Sequence, residues 1–422
     1  MRAVFSTVFL SALTLVSATA YAQATGQLPS YSDIPTATPA GSDQKSGDLP
    51  GVKLGPGVSA VATIGAEAIH TSNMYLQDQN AESAFGYLVS PGLLIVGQGS
   101  QINYEVGAGL EAAKYNVSQG PGSYLDANFK LKSTWEPMTQ HHFRGDFTSQ
   151  FGHDPFGVGR TEGTTPVGAT LDKWIDNTGH ALYRYGAYDA NINLETELGF
   201  QVHRYRTNEA ITQYLNYRVL SVRESAYYNV SSRTALVAEI LHDQASFFEQ
   251  RPGTFTLDGN ETRIRAGIRW LATAHTTGDL RVGEARHNQD ASQLQSTHSV
   301  DWVATLTWAP LSYSVVSLQS GSQTAQSYLA AVSYIQNRFE SLSWTHNWSS
   351  DFLTRANLTH LDSKFVGSSR TDHINTIGAE ADYRATQHWL GLLGASYSRR
   401  STDEAGLGYR DATVYLGVRY AH

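Results

Sequence analysis

The chain reads as an all-β protein, a closed antiparallel transmembrane β-barrel of about 18 strands with short periplasmic turns and longer extracellular loops. Three observations predict this. Apolar and polar residues alternate over runs of about ten residues or more, the length a tilted spanning strand needs. The connections alternate between tight and long. The last ten residues, Thr413 to His422, form one fully patterned strand with Val414, Leu416, Val418 and Tyr420 on a single face. Such a strand needs an immediate partner, so the sheet is expected to close there.

The N-terminus supplies the expected compartment. Arg2 precedes an apolar stretch from Ala3 to Val16, and Ala20-Tyr21-Ala22 fits a small-residue cleavage site, so residues 1–22 read as a secretory signal peptide. Residues 23–52 are rich in Ser, Thr, Pro, Gly and Ala without periodicity and read as a flexible periplasmic leader. The barrel is assigned to residues 53–422. Composition agrees: 23 tyrosines, 37 glycines, 3 methionines and no cysteine. Without cysteine there is no disulfide framework, thiolate metal site or lipid-anchored cysteine. The net charge of -8, with no basic block, argues against nucleic acid as a partner.

Taken in order, the cleanest strands share one pattern. Ile102, Tyr104, Val106, Ala108 and Leu110 alternate with Asn103, Glu105, Gly107, Gly109 and Glu111. Leu125, Ala127, Phe129, Leu131 and Trp135 alternate with Asp126, Asn128, Lys130, Lys132 and Thr134. Phe143, Phe147 and Phe151 stand against Arg144, Asp146 and Gln150. Ile192, Leu194, Leu198 and Phe200 stand against Glu195, Glu197 and Gln201. Later runs set Ile264, Ile268 and Trp270 against Arg263, Arg265 and Arg269, and Val300, Trp302, Leu306 and Trp308 against Asp301, Thr305 and Thr307. One face therefore carries charges that would be costly to bury unpaired, and it is expected to meet a water-filled lumen. Two stretches, 215–229 and 332–348, mix the faces.

Tight links are expected at 97–100, 137–139, 189–190, 230–232, 274–276, 310–311, 349–350 and 385–387. Long loops are expected at 72–83, 153–177, 206–214, 248–259 and 289–297. The loop at 153–177 reads equally as a constriction folded into the lumen or as an exposed loop.

The candidate pore-lining residues are Glu105, Glu111, Asp126, Lys130, Lys132, Arg144, Asp146, Glu195, Glu197, Arg263, Arg265 and Arg269. Arg263, Arg265 and Arg269 form a basic stripe, and the pairs Glu195/Glu197 and Glu105/Glu111 form acidic patches. Opposed clusters of this kind can set a transverse field that guides polar solutes. The plainer reading, a ladder of wall-stabilising ion pairs, carries more weight for any one residue. Trp135, Tyr183, Tyr185, Trp270, Trp302, Trp308, Trp344, Trp348 and Trp389 read mostly as interfacial girdle rather than a carbohydrate track. No catalytic, cofactor-binding or metal residues are expected. The nucleophile elbow, zinc-protease and phosphate-loop motifs do not occur, Gly55-Pro56-Gly57 precedes a strand rather than a helix, and no two of the 15 histidines stand two apart on one strand face.

The segments Leu54-Gly55-Pro56-Gly57-Val58, Thr71-Ser72-Asn73-Met74, Leu88-Val89-Ser90-Pro91-Gly92-Leu93, Leu342-Ser343-Trp344-Thr345-His346 and Leu393 to Arg400 resemble the β-barrel porin-2 family of bacterial outer-membrane barrels. The resemblance implies an outer-membrane exit for a secreted polysaccharide, working with a periplasmic export partner and embedded in outer-membrane lipid. A general diffusion porin for small polar solutes and a plugged scaffold are the alternatives. Tyr415-x-Gly417-x-x-Tyr420-x-His422 resembles the signal read by the barrel-assembly machinery, with His422 where Phe is usual.

Overall fold

The computed structural model describes residues 51–422 apart from 188–189, 274 and 330–331. The expected signal peptide and most of the leader lie outside these residues. A short strand β1 (Val52–Gly55) precedes the wall strands β2 (Val58–Thr71), β3 (Ala84–Gln98), β4 (Ile102–Asn116), β5 (Ser123–Met138), β6 (His141–His153), β7 (Lys173–Tyr185), β8 (Ile192–Tyr205) and β9 (Tyr217–Ser231). These are followed by β10 (Thr234–Phe247), β11 (Gly259–Thr273), β12 (Thr276–Gln289), β13 (Thr297–Leu311) and β14 (Ser314–Ala325), then by β15 (Tyr334–Asn347), β16 (Phe352–Val366), β17 (Thr371–Arg384), β18 (Trp389–Thr402) and β19 (Tyr409–Ala421). Every wall strand pairs antiparallel with its sequence neighbours, and β19 pairs back onto β2 from Thr413↔Thr71 to Ala421↔Thr63. The 18 wall strands thus close into a barrel. Closure removes the sheet edge, whose unpaired N–H and C=O groups could not be left in lipid.

The two faces follow from the period of two. Leu125, Trp135, Leu198, Leu220, Ile264, Val300, Ile377, Leu393 and Leu416 are exposed on the outside, as a lipid-facing wall requires. All nine candidate aromatics lie on this outward face. Many cluster toward the turn side: Trp135 stacks on Phe143 at 4.9 Å, Phe143 on Tyr183 at 5.0 Å, and Trp389 lies 5.0 Å from Tyr420. This is the periplasmic girdle.

Loop lengths also follow expectation, with long connections such as 72–83, 154–172, 206–216 and 248–258 at one rim and two-residue turns such as 232–233 and 312–313 at the other. Differences are local. Pro137 and Pro310 sit within the last turns of β5 and β13 rather than in the links, at register irregularities, where a missing N–H is tolerated. The stretches that mixed faces are ordinary strands. On β9, Ser221, Arg223, Ser225 and Tyr227 face in while Leu220, Val222, Glu224 and Tyr228 face out, and the outward Glu224 is what blurred the pattern. The first described strand, β1, starts at Val52, the last position of the expected leader. Gly55-Pro56-Gly57 turns β1 onto the foot of β2: Pro56 presets one turn position and Gly57, at φ 72°, takes the left-handed one, as a type II turn demands.

One ladder is short. Pairing of β13 with β14 stops at Val303↔Gly321, although β12–β13 runs up to Thr297 and β14–β15 up to Ala325. Beyond that point the two strands part, and side chains tie them together: the Ser322 hydroxyl donates to Asp301 at 2.5 Å and the Trp302 indole donates to Ser320 at 3.0 Å.

Candidate functional site: the lumen wall and its extracellular lid

All 12 candidate pore residues lie on the inward face, but they divide by surroundings. Along β4–β8, Glu105, Lys130, Lys132, Arg144, Asp146 and Glu197 are half-buried and face the lumen solvent. Glu105, Lys132, Asp146 and His180 form one cross-strand row, closed by His180 Nδ1 to Asp146 at 2.9 Å. Glu111 and Asp126 are cross-strand neighbours. The Tyr124 hydroxyl donates to Glu111 at 2.8 Å, and His153 Nδ1 lies 3.0 Å from Asp126. Lys130 sits between Gly107 and Thr148.

Along β8–β13 the charges are packed. Arg265 bridges Glu239, at 2.9 Å, and Asp301; all three are almost fully buried. Arg281 donates to both Asp279 oxygens at 2.8 Å and pairs with Glu239. Arg269 reaches Asp279 at 2.9 Å, and Arg263 pairs with Glu261. Tyr227 sits at the centre, its hydroxyl donating to Glu195 at 2.9 Å and the Arg269 guanidinium lying 4.6 Å from its ring centroid. Each arginine of the expected basic stripe therefore meets a carboxylate. The expected acidic patches are likewise divided: Glu195 meets Tyr227 and Arg184, Glu197 meets Arg223, and Glu105 faces Lys132. The arrangement is the ladder of ion pairs, which fits a wall buried against its own charges because a buried ion is tolerable only when paired. Sequence reasoning missed Glu239, Asp279, Arg281 and Tyr227 as members. Their inward parity was readable, and so was the i, i+2 pair of Asp279 with Arg281 on β12, but the partners of Glu239 and Tyr227 come from other strands.

The second element is the loop 154–172. Its neck closes through Asp154 N–H to Asp172 C=O at 2.9 Å and is braced by Arg160, whose guanidinium donates to both Asp172 oxygens at 2.7 and 2.8 Å. That hydrogen bond to Asp172 raises the Arg160 pKa. Burial pushes the Asp154 carboxyl above its ordinary value even though Trp174 and Tyr205 donate to it. Phe156 packs edge-on against Tyr75 at 5.6 Å, and burial pushes the Tyr75 phenol up to about 12. Gly157, at φ 87°, presses on the Tyr75 carbonyl so closely that a Cβ would lie 2.1 Å from it.

From this base the loop reaches the far side of the ring. Glu162 accepts from Arg370 and Arg400, both at 2.8 Å, and from the Tyr328 hydroxyl at 3.0 Å. Between β7 and β17 lie β2–β6, β18 and β19 one way and β8–β16 the other, so the loop crosses the extracellular mouth. Of the two readings open for this loop, the structure supports the constriction.

A closed antiparallel wall of this length, greasy outside and ionic inside, defines an outer-membrane barrel of the porin type. The chain belongs to the family described as Putative beta-barrel porin 2, whose model matches residues 196–422. No curated protein sequence matches the chain. Among solved structures it is similar to Pseudomonas aeruginosa OccK2 (OpdF), at 10% identity and TM-score 0.44 over 86% of this chain and 97% of that one. It is also similar to Acinetobacter baumannii OccAB4, at 7% identity and TM-score 0.44 over 87% and 99%. The FrpB iron transporter from Neisseria meningitidis in its apoprotein form gives 9% identity and TM-score 0.42 over 86% and 81%.

Proposed function

We propose that this barrel is a passive outer-membrane conduit for polar solutes, used as the exit for a secreted polysaccharide in concert with a periplasmic export partner. The observation that carries the reading is the charge-matched lumen. Where every arginine of the wall stripe is held by a carboxylate, the wall has little net field to sort small ions. It presents instead half-buried hydroxyl, amide and paired ionic groups along β4–β8, which suit a hydrated, weakly charged polymer. A passive conduit calls for no nucleophile and no cofactor. The test is deletion of the gene with measurement of secreted polysaccharide: reduced secretion, restored by the wild-type chain, supports the reading, and unchanged secretion would falsify it.

The lid favours one further reading, a plugged barrel acting as a scaffold, because loop 154–172 spans the mouth. Planar-bilayer recording separates the two. A conduit conducts once the loop is shortened; a scaffold whose lumen is blocked below the lid does not.

A further inference from the structure

The outward face of β16 and β17 carries a cluster that the lumen does not use: His360, Asp362 and His373. His360 and Asp362 stand two apart on β16, so they share a face, and His373 lies directly across the ladder from Asp362. Their ligand atoms lie within 4.8 Å of one another. His360 Nε2 is 3.1 Å from Asp362 Oδ1, and His373 Nδ1 contacts the same oxygen. The separation of 3.1 Å is close to the edge of a tetrahedron with bonds of about 2.0 Å.

The hydrogen-bond accounting singles the cluster out. The Asn375 amide oxygen lies 2.8 Å from His360 Nδ1, so that nitrogen carries the proton. In the neutral ring Nε2 is then a bare lone pair, and it points at a carboxylate oxygen. Two acceptors facing each other at this distance are reconciled by a positive charge between them, either a second proton on the ring or a metal ion. Arg338, directly across from Asp362 on β15, does not fill that role: its guanidinium lies over the Trp302 ring at 5.8 Å, and no salt bridge joins it to Asp362 among the described residues. The next charges on the same face are Lys364, two residues on from Asp362 along β16 and joined to it by no salt bridge among the described residues, Glu340, across from His360, and Arg399, across from Asn375. All three side chains of the cluster remain partly open, with 39%, 37% and 46% exposure, so an ion can enter from outside.

We propose that His360, Asp362 and His373 form a site for a divalent transition metal of the zinc class on the outer wall of the barrel. Two imidazoles and one carboxylate supply three ligands, as in open zinc sites, and leave a fourth position toward the exterior. Asn375 is the positioning residue that selects the His360 tautomer through the ring's other nitrogen. The site lies outside the lumen and holds independently of what the barrel transports.

The test is titration of the full mature barrel, folded in detergent micelles without a polyhistidine tag, with Zn²⁺ by calorimetry and with Co²⁺ by visible absorption. The expected result is one saturable Zn²⁺ per chain and a Co²⁺ band of tetrahedral intensity, both lost in His373→Ala and in Asp362→Asn. Asn375→Leu should weaken Zn²⁺ affinity by about tenfold while leaving the stoichiometry. All three positions face out, and heat-modifiable gel mobility confirms that each variant remains a closed barrel. Absence of saturable binding, or equal binding by a variant lacking His360, Asp362 and His373 together, overturns the proposal, the second result placing the metal on lumen carboxylates.

Discussion

Arg265 shows at the scale of one residue how this lumen is held. Its guanidinium is shared by Glu239 and Asp301, and its side chain keeps only 1% of its exposure. Arg265→Met should therefore cost about 3–5 kcal/mol, because it strands two buried carboxylates rather than removing one contact; urea titration of folding into lipid vesicles measures it. Asp154 obeys the opposite logic. Its folded pKa is raised by burial, so its stabilising contribution is complete below the unfolded carboxylate value and lost as pH rises through the raised one. Asp154→Asn should then protect the 154–172 loop from proteolysis at neutral pH relative to wild type and show no advantage at acidic pH. The inward parity of Arg265 could be read from period-two patterning, whereas Asp154 falls in a loop that the pattern does not reach. What Arg265 pairs with could not be read, since Glu239 lies on the neighbouring β10 and Asp301 two strands away on β13.

At the scale of the element, the last strand, β19, is joined to the first wall strand, β2. Ala62 N–H donates to the His422 carbonyl and His422 N–H to the Ala62 carbonyl, each at 2.9 Å. This lock uses backbone alone, so His422→Phe should leave the folded barrel equally stable. If the assembly machinery reads the final side chain, the same substitution should speed insertion, as pulse-chase assembly assays would show. Within the hairpin of β18 and β19, Tyr415 lies over Gly394, where a Cβ would come within 2.2 Å of the ring, and donates to Glu380 at 2.5 Å. Gly394→Val should displace the ring and cost about 1–3 kcal/mol by overpacking, read by the same urea titration. Strand lengths and faces were legible here because every second residue reports its environment. The early end of the β13–β14 ladder was not, since nothing in Ser320-Gly321-Ser322 marks where one strand leaves its neighbour.

For the whole molecule the decisive feature is a loop that crosses the mouth and is held at its far end by one carboxylate. Glu162→Ala removes the acceptor shared by Arg370, Arg400 and Tyr328. It should raise single-channel conductance in planar bilayers, with no loss of the closed barrel on heat-modifiability gels. A conductance equal to wild type would show that the loop does not limit passage. The length of this connection was visible in the sequence, where 153–177 is the longest of the five expected long loops. Its destination was not, because Glu162 and Arg400 are brought together only when 18 strands have closed into a ring. The His360, Asp362 and His373 cluster has the same origin: half of it is a same-face spacing on β16, and the other half arrives across a ladder.

By itself the amino-acid order determined which residues point to lipid and which to water, how many times the chain crosses, and which rim bears the long loops, because each depends on neighbours one or two positions away. Only the tertiary structure decided which charge answers which, that the mouth is bridged, and where histidines converge on a carboxylate. These depend on register between strands and on closure of the ring, and a pattern of period two is indifferent to both.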